Sequence, residues 1–132
     1  MGERFIKKLG KINEKYIEEF KLYKHKDKII TQSLDLYIHV QKHIKQFQSI
    51  DSYNNTIFNI EKIISNPDFV YFDKEKNSLR YFKYIDEYVC AIIKLTNKRE
   101  LYIATIYPVN KKTIDKLEQK QLLEKYSYKN TD

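Results

Sequence analysis

Two histidines at a four-residue spacing are the first residues in this sequence that could do chemistry. His39 and His43 lie in the segment DLYIHVQKHIKQF, and this step places both rings on one face of a helix. One interpretation is general acid–base chemistry near neutral pH. A metal site is disfavoured, because Val40 stands where the H-E-x-x-H motif has Glu and no nearby acidic or cysteine cluster offers a third ligand. On spacing alone, an exposed polar helix face is the simplest interpretation.

Polar residues within strand-like segments form a second candidate group. Lys83 lies among aromatic and aliphatic neighbours, where a charge needs a partner or water. It is either an electrophile for phosphate or a cation that reaches the edge of the sheet. Alternation predicts that Thr105 and Tyr107 share a face with Leu101 and Ile103 on the last strand. Their hydroxyls could donate hydrogen bonds to a phosphoryl group, or the two residues could simply be good strand formers.

The charge balance indicates an anionic partner. The net charge is +7, and the excess falls in residues 1–48 and 111–132, whereas residues 49–110 carry equal numbers of acidic and basic side chains. A basic surface attracts nucleic acid, although a Lys-rich composition could also reflect an AT-rich genome. The chain also has 12 Tyr and 7 Phe, whose rings can stack on unpaired bases. We assign substrate binding to two cations and one ring beside the candidate catalytic residues: Lys42, Arg80 and Tyr81.

Composition excludes several other classes of function. With two glycines in total, the sequence has no Walker A loop, dinucleotide-binding fingerprint or nucleophile elbow, and we expect no cofactor. The single Cys90 excludes a disulfide framework and fits a reducing cytoplasm. No apolar run approaches the roughly 18 residues of a membrane span, so no membrane partner is expected.

Hydrophobic periodicity predicts the elements that position these residues. Three- and four-residue steps indicate helices over residues 3–24, 33–47, 55–65 and 111–125. Segments rich in Tyr, Phe, Ile and Val indicate an antiparallel meander over residues 69–73, 78–85, 88–95 and 100–109. The predicted fold is α+β, with N-terminal helices, a four-stranded antiparallel sheet and a C-terminal helix. Residues 1–28 are predicted to be an N-terminal helical extension and residues 29–132 the main part of a single compact domain.

This order of elements resembles the BECR nucleases, the superfamily named for barnase, EndoU, colicin toxins and RelE. The likeness is greatest to its phage-associated branch, which occurs in mobile-element polyvalent proteins and polymorphic toxins. It covers about residues 35–110, and the matching segments are HVQKH (39–43), ISNPDFVYFD (64–73), LRYFKYID (79–86), YVCAIIKL (88–95) and IATIYPVN (103–110).

The resemblance implies a metal-independent endoribonuclease that cleaves RNA by transesterification, in which the ribose 2′-OH attacks its own phosphodiester. By position it implies His39 or His43 as the helix histidine, Lys83 as the strand lysine, and Thr105 with Tyr107 as the last-strand hydroxyls. The reaction needs a base for the 2′-OH, an acid for the departing 5′-oxygen, and cations or donors for the phosphorane. Jointly these residues supply all three. The alternatives are a noncatalytic basic RNA-binding module and a protein-interaction module on the same fold.

The resemblance also implies partners and a place of action. The expected partner is RNA, with tRNA as one candidate, together with an inhibitor or immunity protein. The expected location is the cytoplasm, or the target-cell cytoplasm if the domain belongs to a delivered toxin. Residues 29–132 would be the nuclease domain, and the N-terminal helix could make a homodimer contact in a protein that is otherwise a monomer.

Overall fold

A computed structural model of the chain describes residues 6–129, with side chains described as far as residue 121. Strands and helices follow one another in this order along the chain: β1 (Ile6–Lys11), α1 (Glu14–Glu19), β2 (Ile29–Ser33), α2 (Leu34–Gln41), α3 (Ile50–Phe58), α4 (Ile60–Ser65), β3 (Phe69–Asp73), β4 (Ser78–Tyr84), β5 (Tyr88–Lys94), β6 (Glu100–Pro108) and α5 (Lys111–Lys129). Short 3₁₀ turns at Tyr23–His25 and Ile44–Gln46 complete the connections.

The sheet confirms the α+β class and the predicted meander, but it has six strands in the described residues instead of the predicted four. Strands β3 to β6 pair antiparallel with their neighbours in chain order, as predicted. Strand β2 extends the sheet beyond β6, to which it runs parallel, and β1 pairs antiparallel with β2. The spatial order is therefore β1-β2-β6-β5-β4-β3, a six-stranded sheet in the described part of the chain.

The predicted helix over residues 3–24 is wrong. Residues 3–5 lie outside the described residues, Ile6–Lys11 form strand β1, and only Glu14–Glu19 are helical. Gly10, at φ +110°, sits where the β1–β2 register shifts, which is a bulge that a helix could not contain. The Asn13 side chain then accepts a hydrogen bond from the Lys15 backbone N–H at 2.9 Å and starts α1 as its N-cap. The predicted N-terminal helix is thus a strand and a short helix, and the predicted boundary at residue 28 falls between the paired strands β1 and β2. A dimer contact through this segment stays a prediction.

The helices before the meander are shorter than predicted, because capping residues divide them. The segment over residues 33–47 is helix α2 followed by a 3₁₀ turn. The segment over residues 55–65 is two helices, since Asn59 adopts a non-helical conformation (φ −108°, ψ 19°) between α3 and α4. Helix α3 begins earlier than predicted, where the Ser49 hydroxyl accepts from the Ser52 N–H at 3.0 Å. Asn66 and Pro67 end α4, as the sequence predicted.

Each face of the sheet has its own apolar cluster. The main core lies on the face that packs against α1, α2 and α4, and it takes in Leu36, Val40, Ile60 and Ile63 from the helices. A smaller cluster on the opposite face packs against α5 and is centred on Tyr71, Phe82, Cys90 and Ile114. Whether a strand residue packs in the main core or in the smaller cluster therefore shows on which face of the sheet its side chain lies. Within residues 6–129, none of the helices is both long and apolar enough to cross a membrane.

Candidate active site

A cleft of about 930 Å³ lies between α2 and β6, in the size range of ligand sites. It brings together four of the residues singled out from the sequence: His39, Lys42, His43 and Thr105. Helix α2 reaches β6 because it follows β2 directly, and β2 runs parallel to β6. The two walls of the cleft are thus fixed by one strand pairing and by the burial of Leu36 and Val40 in the main core.

The two histidines occupy different depths of this cleft. His39 is exposed on the last turn of α2, whereas His43 lies just beyond the helix and is half-buried. The His43 ring packs on the ring of Tyr107, with 5.7 Å between centroids. Its Nδ1 is buried and has no hydrogen-bond partner among the described residues, so Nε2 is the nitrogen left to meet a substrate. The four-residue spacing therefore yields one exposed imidazole, His39, and one, His43, that packs on a neighbouring ring.

A bulge in β6 sets the direction in which Thr105 points. Ile93 of β5 is opposite Ile103 and Ile92 is opposite Thr105, so Ala104 is the extra residue. The bulge reverses the alternation: Ile103 joins the main core, whereas Thr105 and Tyr107 lie on the α5 face. The prediction that Leu101, Ile103, Thr105 and Tyr107 share one face is wrong for this reason. The Thr105 Oγ1 is buried and makes no hydrogen bond to a described group, which leaves this hydroxyl uncommitted.

Tyr107 belongs to a polar cluster beside the cleft. Its side chain interacts with the thiol of Cys90, the residue opposite it on β5. Arg80 lies on the same face and donates to Asp73 at 3.0 Å while its guanidinium lies 6.0 Å from the centre of the Tyr71 ring. Arg80 is thus held by Asp73 next to the cleft, and it does not line the cleft. The cluster supports the Tyr107 ring on which His43 rests.

Protons in this cluster are held tightly. Burial, with a smaller contribution from Cys90, raises the pKa of Tyr107 to about 12, although Arg80 opposes the shift. Burial likewise raises the pKa of the Cys90 thiol to about 12. Both groups are therefore protonated at neutral pH, and Tyr107 acts as a hydrogen-bond donor and not as a base.

We expect the free energy of unfolding to fall as the pH rises from about 9 towards 12. In that window the unfolded chain loses protons from Cys90 and Tyr107 that the folded chain keeps, and stability falls wherever the unfolded state binds fewer protons. Buried Tyr81, whose pKa is also raised, adds to the fall. Urea denaturation between pH 7 and 11 in the presence of a reductant measures it. Tyr107→Phe should flatten the pH dependence, and an unchanged slope in this variant would contradict the assignment.

Lys83 and Tyr81 lie outside the cleft. Lys83 is opposite Val89, a residue of the main core, so its side chain leaves the sheet on the face away from Thr105. Its ammonium group pairs with Asp68 at 3.0 Å. Tyr81 is 1% exposed in the main core, where a base cannot reach its ring. The structure therefore brings neither residue to the histidines.

The cleft is also lined by polar residues that were not predicted from the sequence. The turn between β5 and β6 supplies the adjacent cations Lys98 and Arg99, while Asp35 and Glu100 supply carboxylates. The basic pair in TNKRE was visible in the sequence, but only the parallel β2–β6 pairing shows that this turn lies near α2. With Lys42, the cleft therefore has three cations around the two histidines. Within the described part of the chain, no group of three or more His, Cys, Asp or Glu side chains is arranged to hold a metal ion.

Comparison with known proteins gives one match. A family model described as phage-Barnase-EndoU-ColicinE5/D-RelE like nuclease3 (PBECR3) matches residues 7–116. The match takes in both walls of the cleft and also β1 and α1, beyond the span of the resemblance seen in the sequence. No curated protein and no solved structure matches the chain.

Proposed function

Since this chain belongs to the PBECR3 family of phage BECR-like nucleases, we propose that it is an endoribonuclease whose active site is the cleft between α2 and β6. The proposal has two finer parts: the substrate is RNA, and cleavage proceeds by 2′-OH transesterification without a metal. The observation that carries it is the convergence of His39, His43, Lys42 and Thr105, which come from two distant parts of the chain, in a single cleft.

The chemistry needs two proton transfers, and the cleft offers two imidazoles for them. In the proposed step the 2′-oxygen bonds to phosphorus as His43 takes the 2′-OH proton. The bond from phosphorus to the 5′-oxygen breaks as His39 supplies a proton to that oxygen, and the products are a 2′,3′-cyclic phosphate and a 5′-OH. We assign the base to His43 because packing on Tyr107 fixes its ring, as a base beside the scissile phosphate requires. His39 lies on the exposed side, where the leaving strand can depart.

Charge on the phosphate is met by residues other than Lys83. Lys42, Lys98 and Arg99 line the cleft, whereas Lys83 is neutralised by Asp68 on the other face. Cations placed where negative charge develops stabilise the phosphorane more than the ground state. The uncommitted hydroxyl of Thr105 can donate to a phosphate oxygen after rotation about its χ1 angle.

We expect the purified protein to cleave RNA in the presence of EDTA, to leave 2′,3′-cyclic phosphate ends, and to spare DNA of the same sequence. DNA lacks the attacking hydroxyl, so it cannot follow this path. Denaturing gels of end-labelled RNA measure cleavage, and mass spectrometry of the products identifies the ends. Hydrolysis that gives 3′-OH ends, or cutting of DNA at a comparable rate, would contradict the mechanism.

Two lysine variants provide a matched control. Lys42→Ala removes a cation from the cleft and should slow cleavage, whereas Lys83→Ala removes one from the opposite face and should leave the rate unchanged. Salt-dependent RNA binding with no cleavage would favour a noncatalytic RNA-binding module. Substitution of His39 or His43 by Ala would then leave RNA affinity unchanged. If neither binding nor cleavage is found, a protein-interaction module on this fold is favoured.

A further inference from the structure

One aromatic ring besides the two imidazoles lines the cleft. Tyr102 of β6 is 47% exposed, and it is the one Tyr or Phe side chain that lines the cleft within the described residues. It is opposite Thr31 of β2, whose hydroxyl is already used to donate to the Leu101 carbonyl at 3.0 Å. A large ring that is half in water has not been placed there by core packing.

The surroundings of Tyr102 fit a nucleotide better than they fit an apolar ligand. Lys98 and Arg99, which precede Tyr102 by four and three residues, line the same cleft and can meet phosphates, and Ile6, itself 51% exposed, adds apolar surface. Along β6, Tyr102 is three residues from Thr105, which is roughly 10 Å at the rise of an extended strand. A base on Tyr102 and the phosphate at the histidines can therefore belong to the same or to neighbouring nucleotides.

We propose that Tyr102 is a base-stacking subsite and that the cleft accepts single-stranded RNA with an unpaired base next to the cleavage position. This inference rests on the proposed function. A base inside a duplex stacks on its own neighbours and presents no free face, so it cannot reach a ring on the wall of a cleft. Stacking is available to every base, so the subsite selects for strandedness more than for sequence.

The test uses ligands that cannot be cut, which separates binding from cleavage. The probes are a fluorescein-labelled 2′-O-methyl oligoribonucleotide, the same strand annealed to its complement, and inorganic polyphosphate as an anion without bases. Fluorescence anisotropy measures the affinity for the two oligonucleotides, and polyphosphate is titrated as a competitor. The wild-type protein should bind the single strand more tightly than the duplex.

Tyr102→Ala should weaken single-strand binding by roughly 5- to 150-fold, the range found for loss of one stacked base. It should leave competition by polyphosphate unchanged, since the cations remain. Tyr102→Phe keeps the ring and should bind as the wild type does. Tyr23→Ala is the matched control, because Tyr23 is 61% exposed in the 3₁₀ turn after α1 and does not line the cleft.

Each outcome bears on one proposal. Equal single-strand affinity for Tyr102→Ala and the wild type, a loss in Tyr102→Phe as large as in Tyr102→Ala, or tighter binding of the duplex would overturn the stacking subsite. None of these results touches the transesterification proposal, which is judged on cleavable RNA. Conversely, a protein that fails to cut RNA but loses single-strand affinity in Tyr102→Ala would retain the subsite as part of an RNA-binding site.

Discussion

His43→Ala should lower the rate of RNA cleavage by roughly 10²- to 10⁴-fold, the effect of losing a general base. The residue lines the cleft, and packing on Tyr107 holds its ring in place, as proton transfer from the 2′-OH requires. Single-turnover cleavage of end-labelled RNA gives the rate. Affinity for the 2′-O-methyl strand should be nearly unchanged, because the imidazole acts on the proton and contributes little to holding the phosphate.

Two controls distinguish a lost base from a damaged cleft. The melting temperature of His43→Ala should stay close to that of the wild type, since the side chain is only half-buried. Imidazole added to the solution should restore part of the rate in His43→Ala and none in Lys42→Ala, in which a cation is missing. A rate equal to that of the wild type in His43→Ala would move the base to another residue, with His39 the first to examine.

Tyr81→Ala should destabilise the fold by about 3–5 kcal/mol, the usual cost of truncating a buried aromatic side chain. Tyr81 is 1% exposed, and the centre of its ring lies 6.4 Å from that of Tyr16, a residue of α1. Truncation therefore opens a cavity where α1 packs on β4. Urea denaturation followed by circular dichroism measures the loss.

The matched variant Tyr81→Phe keeps the ring and removes the hydroxyl. We expect it to cost less than about 1.5 kcal/mol and to leave RNA affinity unchanged, because conservative core changes are well tolerated. A selective loss of RNA affinity in Tyr81→Phe, without loss of stability, would restore the substrate-binding role first assigned from the sequence. That result would mean that the main core opens in solution.

The meander and the C-terminal helix could be predicted because their signals are local. Strands β3 to β6 are rich in Tyr, Phe, Ile and Val and are separated by short polar turns, and helix α5 begins at Lys111, three residues after Pro108. The histidine pair was recognisable for the same reason, since a four-residue step is visible within one segment. The partial burial of His43 could not be predicted, because it depends on contact with Tyr107, which is 64 residues away in the chain.

Strand β1 was missed because an exposed edge strand has little alternation to detect. Of its six residues only Leu9 is buried. The apolar residues of the predicted helix over 3–24 recur at helical spacing, although a bulge and a turn interrupt the backbone there. Ile12 is buried at a position of the helical period, but it lies between β1 and α1 instead of within one helix, and Ile17 is buried outside that period. The period thus predicted only some of the core positions, because the bulge at Gly10 and the N-cap at Asn13 determine the backbone here.

The site residues divide in the same way. Thr105 reached the cleft although its predicted face was wrong, because the bulge at Ala104 turned it there. Lys83 failed to reach it because strict alternation continues along β4 and carries the side chain to the other face. The pairing of β2 with β6 brings three further residues to the cleft: Lys98, Arg99 and Tyr102. No local sequence pattern predicts this pairing.

That pairing also determines when a nuclease site can first exist during synthesis. The hydrogen bond from Thr31 to the Leu101 carbonyl joins residues 70 positions apart, and the cleft has no second wall until β6 has left the ribosome. Contacts between such distant segments form late, after the intervening chain has been made. Under the proposed function, a growing chain that carries His39 and His43 on α2 but lacks β6 has no cleft in which to hold RNA. The ribosome's own RNA, the tRNA and the message are thus spared by the growing chain until β6 has emerged.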